Sequence, residues 1–195
     1  MVFPGDFIPI FEKSGDIITL DYFVYKEIFK YQRNRLDNHL PVVPISVNVS
    51  KLHLKNDNLK KYLERLFNDY KLPVDLIELE LTENVYIENM DQAMRLLNWC
   101  KEKKIKIAMD DFGSGYSSLN MLDQVSVDIM KIDKTFLKNE VLQKNECIIL
   151  EHVVSMADKM DIITVCEGVE SKEQLEFLAD IGCNVIQGYY VGRPM

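Results

Sequence analysis

Six polar residues stand late in six short apolar runs of this chain: Asn48, Glu80, Asp110, Lys131, Glu167 and Gln187. A second acid, Asp111, follows Asp110 directly. A polar group buried in an apolar strand without a partner is costly. One acid at a strand end is ordinarily solvated loop, and one strand lysine is ordinarily ion-paired. Six such residues on successive segments point to a common purpose. Asn48, Glu80, Asp110, Asp111 and Glu167 offer only hard oxygen donors, which suit Mg²⁺ or Mn²⁺ better than zinc or copper. Carboxylates gathered this densely raise one another's pKa unless cations lie among them. Adjacent acids suit two ions, and a pair of ions can activate water and hold both oxygens of a phosphoryl displacement. Lys131 would orient that water or offset charge in the transition state. Its plainer role is counter-ion to Glu80 or Asp110. The stretch Asp111-Phe112-Gly113-Ser114-Gly115-Tyr116-Ser117-Ser118 reads as a loop able to close over a phosphate or fold against a partner subunit.

The elements that must position these residues alternate. Strands are expected over Ile45–Val49, Leu76–Leu81, Ile105–Met109, Asp128–Ile132, Ile162–Cys166 and Asn184–Gly188. Helices are expected over Leu20–Arg35, Asn58–Tyr70, Met90–Lys103, Asn145–Met160 and Lys172–Ile181, with a helical turn over Ser117–Leu122. Such alternation implies parallel strands joined by crossover helices. Ser171 with Gln174 reads as a capping box, and Gly182 as a helix stop. Strand side chains alternate between two faces. Ile45, Val47 and Val49 oppose Ser46 and Asn48. Ile77, Leu79 and Leu81 oppose Glu78, Glu80 and Thr82. Ile105, Ile107 and Met109 oppose Lys106, Ala108 and Asp110. A fully buried parallel strand is apolar on both faces, so these half-polar strands fit a barrel wall. The apolar face would lie under helices and the polar face inside, ending at the C-terminal rim where barrel enzymes keep their sites.

Bulk properties narrow the field. The chain has 195 residues, 47% of them hydrophobic, enough for one substantial core. It is short for an eight-stranded (β/α) barrel, which takes roughly 250 residues. A net charge of −8 argues against a DNA or RNA polymer as partner, though not against a small anion met through metal ions. The four cysteines lack CxxC spacing and the three histidines stand apart from them, which argues against a zinc site or a disulfide framework. Reduced thiols fit a cytoplasmic domain. No apolar run reaches the roughly 18 residues of a membrane span. The first eleven residues, with Pro4, Asp6 and Pro9 and no basic cluster, do not read as a signal peptide.

Several segments together resemble the EAL domain family of cyclic-di-GMP phosphodiesterases. They are Asp6-Phe7-Ile8-Pro9 with Glu12-Lys13-Ser14-Gly15, Asn48-Val49-Ser50, Glu80-Leu81-Thr82-Glu83, Asp110-Asp111-Phe112-Gly113, Lys131-Ile132-Asp133, Glu167-Gly168-Val169-Glu170 and Gln187-Gly188-Tyr189. Each is weak alone; the ordered set is specific and covers nearly the whole chain. The resemblance implies an α/β, TIM-like (β/α) barrel that hydrolyses cyclic di-GMP to linear pGpG with Mg²⁺ or Mn²⁺. It implies metal ligands at Asn48, Glu80, Asp110, Asp111 and Glu167, with Lys131 at the catalytic water. Glu83 would hold the Asp111–Ser118 loop, and Gln187, Gly113, Ser114 and Glu170 would line the substrate site. It also implies a homodimer, and it leaves open an upstream sensory or diguanylate cyclase domain and a membrane anchor in a parent protein.

Two departures stand out. The Glu-Ala-Leu tripeptide that names the family is absent, and Cys166 stands where alanine is usual. The tripeptide belongs upstream of Phe7-Ile8-Pro9. The expectation is therefore a single EAL-type domain over residues 1–195 that lacks its first two strands, with about six of eight present. Such a fragment should be inactive or impaired and should expose two strand edges prone to association. A non-catalytic dinucleotide receptor or interaction module is the second reading. A third is metal-assisted proton abstraction on an enolase-like barrel, with Lys131 as base.

Overall fold

The computed structural model describes residues 3–113, 122–137 and 142–193. Its elements in chain order are α1 (Pro4–Ser14), α2 (Ile17–Asp37), β1 (Ile45–Asn48), α3 (Asn58–Tyr70), β2 (Ile77–Thr82), α4 (Glu83–Lys103), β3 (Lys106–Phe112), β4 (Ile129–Ile132), α5 (Lys144–Lys159), β5 (Ile163–Cys166), α6 (Lys172–Asp180) and β6 (Val185–Ile186). Short 3₁₀ turns occupy Lys51–Lys55, Val74–Leu76 and Lys134–Phe136. The strands hydrogen-bond in the order β1-β2-β3-β4-β5-β6. That order, with parallel registers from β1 to β2 and from β3 through β6, is the α/β topology expected of a (β/α) barrel wall. The chain divides into two compact units, Met1–Leu81 with Glu88–Ile107, and Thr82–Ile87 with Ala108–Met195.

In the first unit the strand faces segregate as their alternation requires. Ile77, Leu79, Leu81 and Ile107 are buried, and so are Val47 and Val49. On the opposite face Ser46 donates to Glu78 Oε2 at 2.8 Å, one rung below the register pair Asn48–Glu80. Helix α2 is fastened to the end of β1 and to the segments that lead into β1 and β2. The Tyr25 hydroxyl donates to the Asn48 carbonyl at 2.7 Å, and Gln32 Nε2 donates to the carbonyls of Val43 at 2.7 Å and Leu76 at 3.2 Å. Buried amides of this kind are tolerable only when bonded. Helix α3 buries Leu59, Leu63 and Leu66, an i, i+4, i+7 stripe, and Phe29 meets Phe67 edge-on at 4.8 Å.

In the second unit α5 buries Leu150, Val154 and Ala157 with the same spacing. The Ser171–Gln174 capping box is present: Gln174 N–H donates to Ser171 Oγ at 3.2 Å, and Ser171 N–H to Gln174 Oε1 at 3.1 Å. Gly182, at φ +83, takes the chain out of the helical region beyond α6.

Several bounds differ from expectation: α2 runs Ile17–Asp37 rather than Leu20–Arg35, β6 covers Val185–Ile186 rather than Asn184–Gly188, and three further departures have local causes. Helix α1 was not anticipated, because Pro4 and Pro9 mask it. Pro4 occupies the first helical position, where its missing N–H costs nothing, and Gly15 closes the helix at φ +88. Helix α4 runs Glu83–Lys103 rather than Met90–Lys103, but Asn89 has non-helical φ −140 and ψ 40, so the expected helix is its second segment. Strand β3 extends to Phe112 rather than Met109. The expected turn at Ser117–Leu122 lies, except for Leu122, outside the described residues.

Candidate functional site

The side chains singled out from sequence fall in two groups, one in each unit. In the first unit, Asn48 and Glu80 are partners at the C-terminal ends of β1 and β2. The Val49 N–H donates to the Glu80 carbonyl at 2.9 Å and carries the pairing one residue further. Asn48 is exposed, while Glu80 is only 6% exposed. The alternation of the two strands thus delivers an amide and a carboxylate on one face, side by side.

The second unit gathers a denser cluster. Lys131, near the end of β4, places Nζ 3.2 Å from Asp110 Oδ1 and 2.7 Å from Glu167 Oε1. All three side chains are largely shielded, which strengthens charge pairing relative to open surface. Asp111 joins them against simple strand alternation. Its neighbours in the ladder explain how: Met109 pairs with Met130, but the next pair is Phe112 with Ile132. One extra residue is bulged into β3, and Asp111 takes φ +56. Aspartate tolerates this left-handed conformation better than most side chains, and bulges commonly re-aim side chains. Burial, then the charges of Asp110, Asp133 and Glu167, push the Asp111 carboxyl above the usual aspartate range, with Lys131 pulling the other way. Asp133 belongs to the Lys131-Ile132-Asp133 segment but not to the ligand set expected from the sequence. Its oxygen also accepts from the Thr135 N–H at 2.8 Å and starts the Lys134–Phe136 turn. The missed signal is its position two residues beyond Lys131.

Glu83 sits at the start of α4, fully buried, and accepts a hydrogen bond from the Gly113 N–H at 3.2 Å. It therefore grips the first turn of the segment that follows β3. Gly113 holds φ +92, and a Cβ there would run into the Phe136 ring, so no other residue fits without rearrangement. Ser114 lies outside the described residues. Glu170 is exposed, with its N–H donating to Gln174 Oε1 at 2.8 Å. The Gln187 side chain is exposed, and its backbone is locked: its N–H donates to the Cys166 carbonyl at 2.9 Å, and its carbonyl accepts from Val169 N–H at 3.1 Å. Gly188 packs so tightly on the Val169 backbone that a Cβ would collide with it. Cys166 is buried, and burial pushes its thiol far above the ordinary range.

Asp110, Asp111, Asp133 and Glu167 fit a hard divalent cation by donor type, and the repulsion felt by Asp111 is what such a cation would relieve. Among the described residues, no three His, Cys, Asp or Glu side chains are already arranged to hold an ion. Lys131 supplies positive charge to Asp110 and Glu167.

Comparison with known proteins decides the family. A model described as the EAL domain matches residues 1–194. The chain belongs to the EAL domain family. It is 31% identical over 195 residues to the bifunctional diguanylate cyclase/cyclic di-GMP phosphodiesterase MucR of Pseudomonas aeruginosa, covering 100% of this chain and 28% of that protein. It is 32% identical over 193 residues to the cyclic di-GMP phosphodiesterase NbdA of the same organism, covering 98% of this chain and 24% of that one. The chain thus spans about a quarter of the length of these curated relatives. The solved structure of the PaMucR phosphodiesterase in complex with c-di-GMP superimposes with a TM-score of 0.90 at 32% identity, covering 100% of this chain and 78% of that one. The EAL fold is therefore shared.

Proposed function

We propose that this EAL chain derives from a metal-dependent phosphodiesterase that opens cyclic di-GMP to linear pGpG. The carrying observation is the cluster in which Asp110, Lys131 and Glu167 pair while the β3 bulge adds Asp111. In this reading Asn48, Glu80, Asp110, Asp111 and Glu167 are the ligands of Mg²⁺ or Mn²⁺, and Asp133 adds charge beside them. Such ions, when bound, supply Lewis acidity and a water acidic enough to attack a phosphodiester. Lys131 holds two of the carboxylates in place and donates toward that water. Glu83 fixes the loop after β3 through Gly113, and Ser114 in that loop, with Gly113, Gln187 and Glu170, meets the dinucleotide. The proposed domain is one EAL unit over residues 1–195. Homodimerisation, a cytoplasmic setting and a linked sensory or cyclase domain belong to the same proposal.

A binding module that does not cleave is the second reading. It is favoured by the ion pairs of Lys131 with Asp110 and Glu167, which compete with a cation for the same oxygens. One experiment separates the two. The chain, and a version extended by an upstream Glu-Ala-Leu segment, are incubated with cyclic di-GMP and Mn²⁺, and the products are chromatographed. Linear pGpG from the extended version supports the phosphodiesterase. Saturable binding without product in both supports the receptor, and neither binding nor product contradicts both.

A further inference from the structure

A polar cavity lies in the first unit, and none of the candidate site residues described above lines it. It measures about 230 Å³ and lies where the Lys51–Lys55 turn meets the N-terminus of α3 and one face of α4. Its wall carries Lys55, Lys60 and Arg95, with Gln92 and the buried His53. The single acid in the lining is Asp57. Three cations against one carboxylate is unusual in a chain of net charge −8.

The charges there are only partly consumed. Lys60 pairs with Asp57 at 3.0 Å. Among the described residues, Arg95 and Lys55 make no ion pair. The positive field is felt by Asp57, whose carboxyl is held below the usual range by its bond to Lys60, by that lysine's charge, and further by Arg95 and Lys61. The floor is rigid. His53 Nε2 lies 2.9 Å from Asp21 Oδ2, and its ring packs on Tyr22 at 5.2 Å. Asp57 makes no side-chain bond to the first turn of α3; Asn56 Oδ1 takes the Asn58 N–H at 2.9 Å, and the next N–H groups of that turn carry the positive end of the helix toward the same region.

We infer that this cavity is a binding site for a phosphate group, held by Arg95, Lys55 and Lys60 at the start of α3. An arginine fork and two ammonium groups match tetrahedral oxyanions. The volume admits a free phosphate, or the terminal phosphate of a nucleotide whose remainder stays outside. The site is independent of the carboxylate cluster, so it stands or falls separately from the proposed phosphodiester chemistry.

The test is a ¹H–¹⁵N titration of the full chain, without divalent metal, using inorganic phosphate and guanosine 5′-monophosphate in separate arms at constant ionic strength. The expected result is saturable shifts confined to residues 53–60 and 92–96. Apparent affinity should fall at least tenfold in the Lys55→Glu/Arg95→Glu variant. Both side chains are exposed, so an unchanged far-UV spectrum and melting temperature should accompany the loss. Tighter binding of the monophosphate identifies a nucleotide as the source, and equal binding identifies the phosphate group itself. Non-saturating shifts, shifts elsewhere, or an unaltered affinity in the double variant would overturn the inference.

Discussion

Lys131 is the hinge of the second unit's electrostatics. It touches both Asp110 and Glu167, and its removal would leave two shielded carboxylates facing a third. Breaking a buried pair costs about 3–5 kcal/mol, and these side chains are not wholly buried. Lys131→Ala should therefore destabilise the metal-free chain by about 1–3 kcal/mol, read as a melting temperature lower by about 2–4 °C per kcal/mol. Asp111 carries the opposite sign. Its carboxyl is pushed up by burial and by Asp110, Asp133 and Glu167, so folding favours its protonated form. Whatever stability that form confers is present below the unfolded pKa and lost as pH rises through the folded one. At neutral pH the ionised group is a burden, reduced by solvent screening. Asp111→Asn should leave the metal-free chain as stable or slightly more so at pH 7, with the gain shrinking toward pH 4, measured by thermal melts across pH. A clear destabilisation at pH 7 would show that its carboxylate is structurally needed.

The bulge in β3 and the glycine after it set the next scale. Strict alternation would turn Asp110 and Asp111 to opposite faces, and only the extra residue between the Met109 and Phe112 pairs brings both to one cluster. That step was not legible from the sequence, where a bulge leaves no period of its own. The alternation of Ile77-Glu78-Leu79-Glu80-Leu81 was legible, because a half-polar strand must hide one face and spare the other. So was the Ser171–Gln174 box. Helix α1 was not, since prolines at positions 4 and 9 look like breakers, although Pro4 at its start and Gly15 at its end are the local marks of its limits. Gly113→Ala should cost about 1–3 kcal/mol, the range for a side chain forced into left-handed backbone, because its Cβ also meets Phe136. A melting temperature within error of the parent would contradict this. Glu83→Ala should loosen the same turn by freeing the Gly113 N–H, seen as faster amide exchange at Gly113; unchanged exchange would contradict the grip. Burial of Cys100 and Cys166, with the Cys166 thiol pushed up, predicts that a thiol reagent modifies Cys147 and Cys183 first in the native chain. Equal rates for all four would argue against the packing of α4 and β5.

For the molecule as a whole, the family was legible because its motifs sit at strand ends, where chemistry rather than packing dictates the residue. Composition alone, with −8 net charge and no zinc-type spacing, narrowed the partners but named none. The carboxylates have a physical reason to be crowded only if positive charge comes among them, and Lys131 meets just part of that need. The most direct measurement is Mn²⁺ binding followed by electron paramagnetic resonance on the intact chain and on an Asp110→Asn/Asp111→Asn variant of equal fold. The chain should bind Mn²⁺ saturably, with affinity at least tenfold lower in the variant. Equal binding by both, or no saturable binding by the parent, would contradict the assignment of these acids as a cation site.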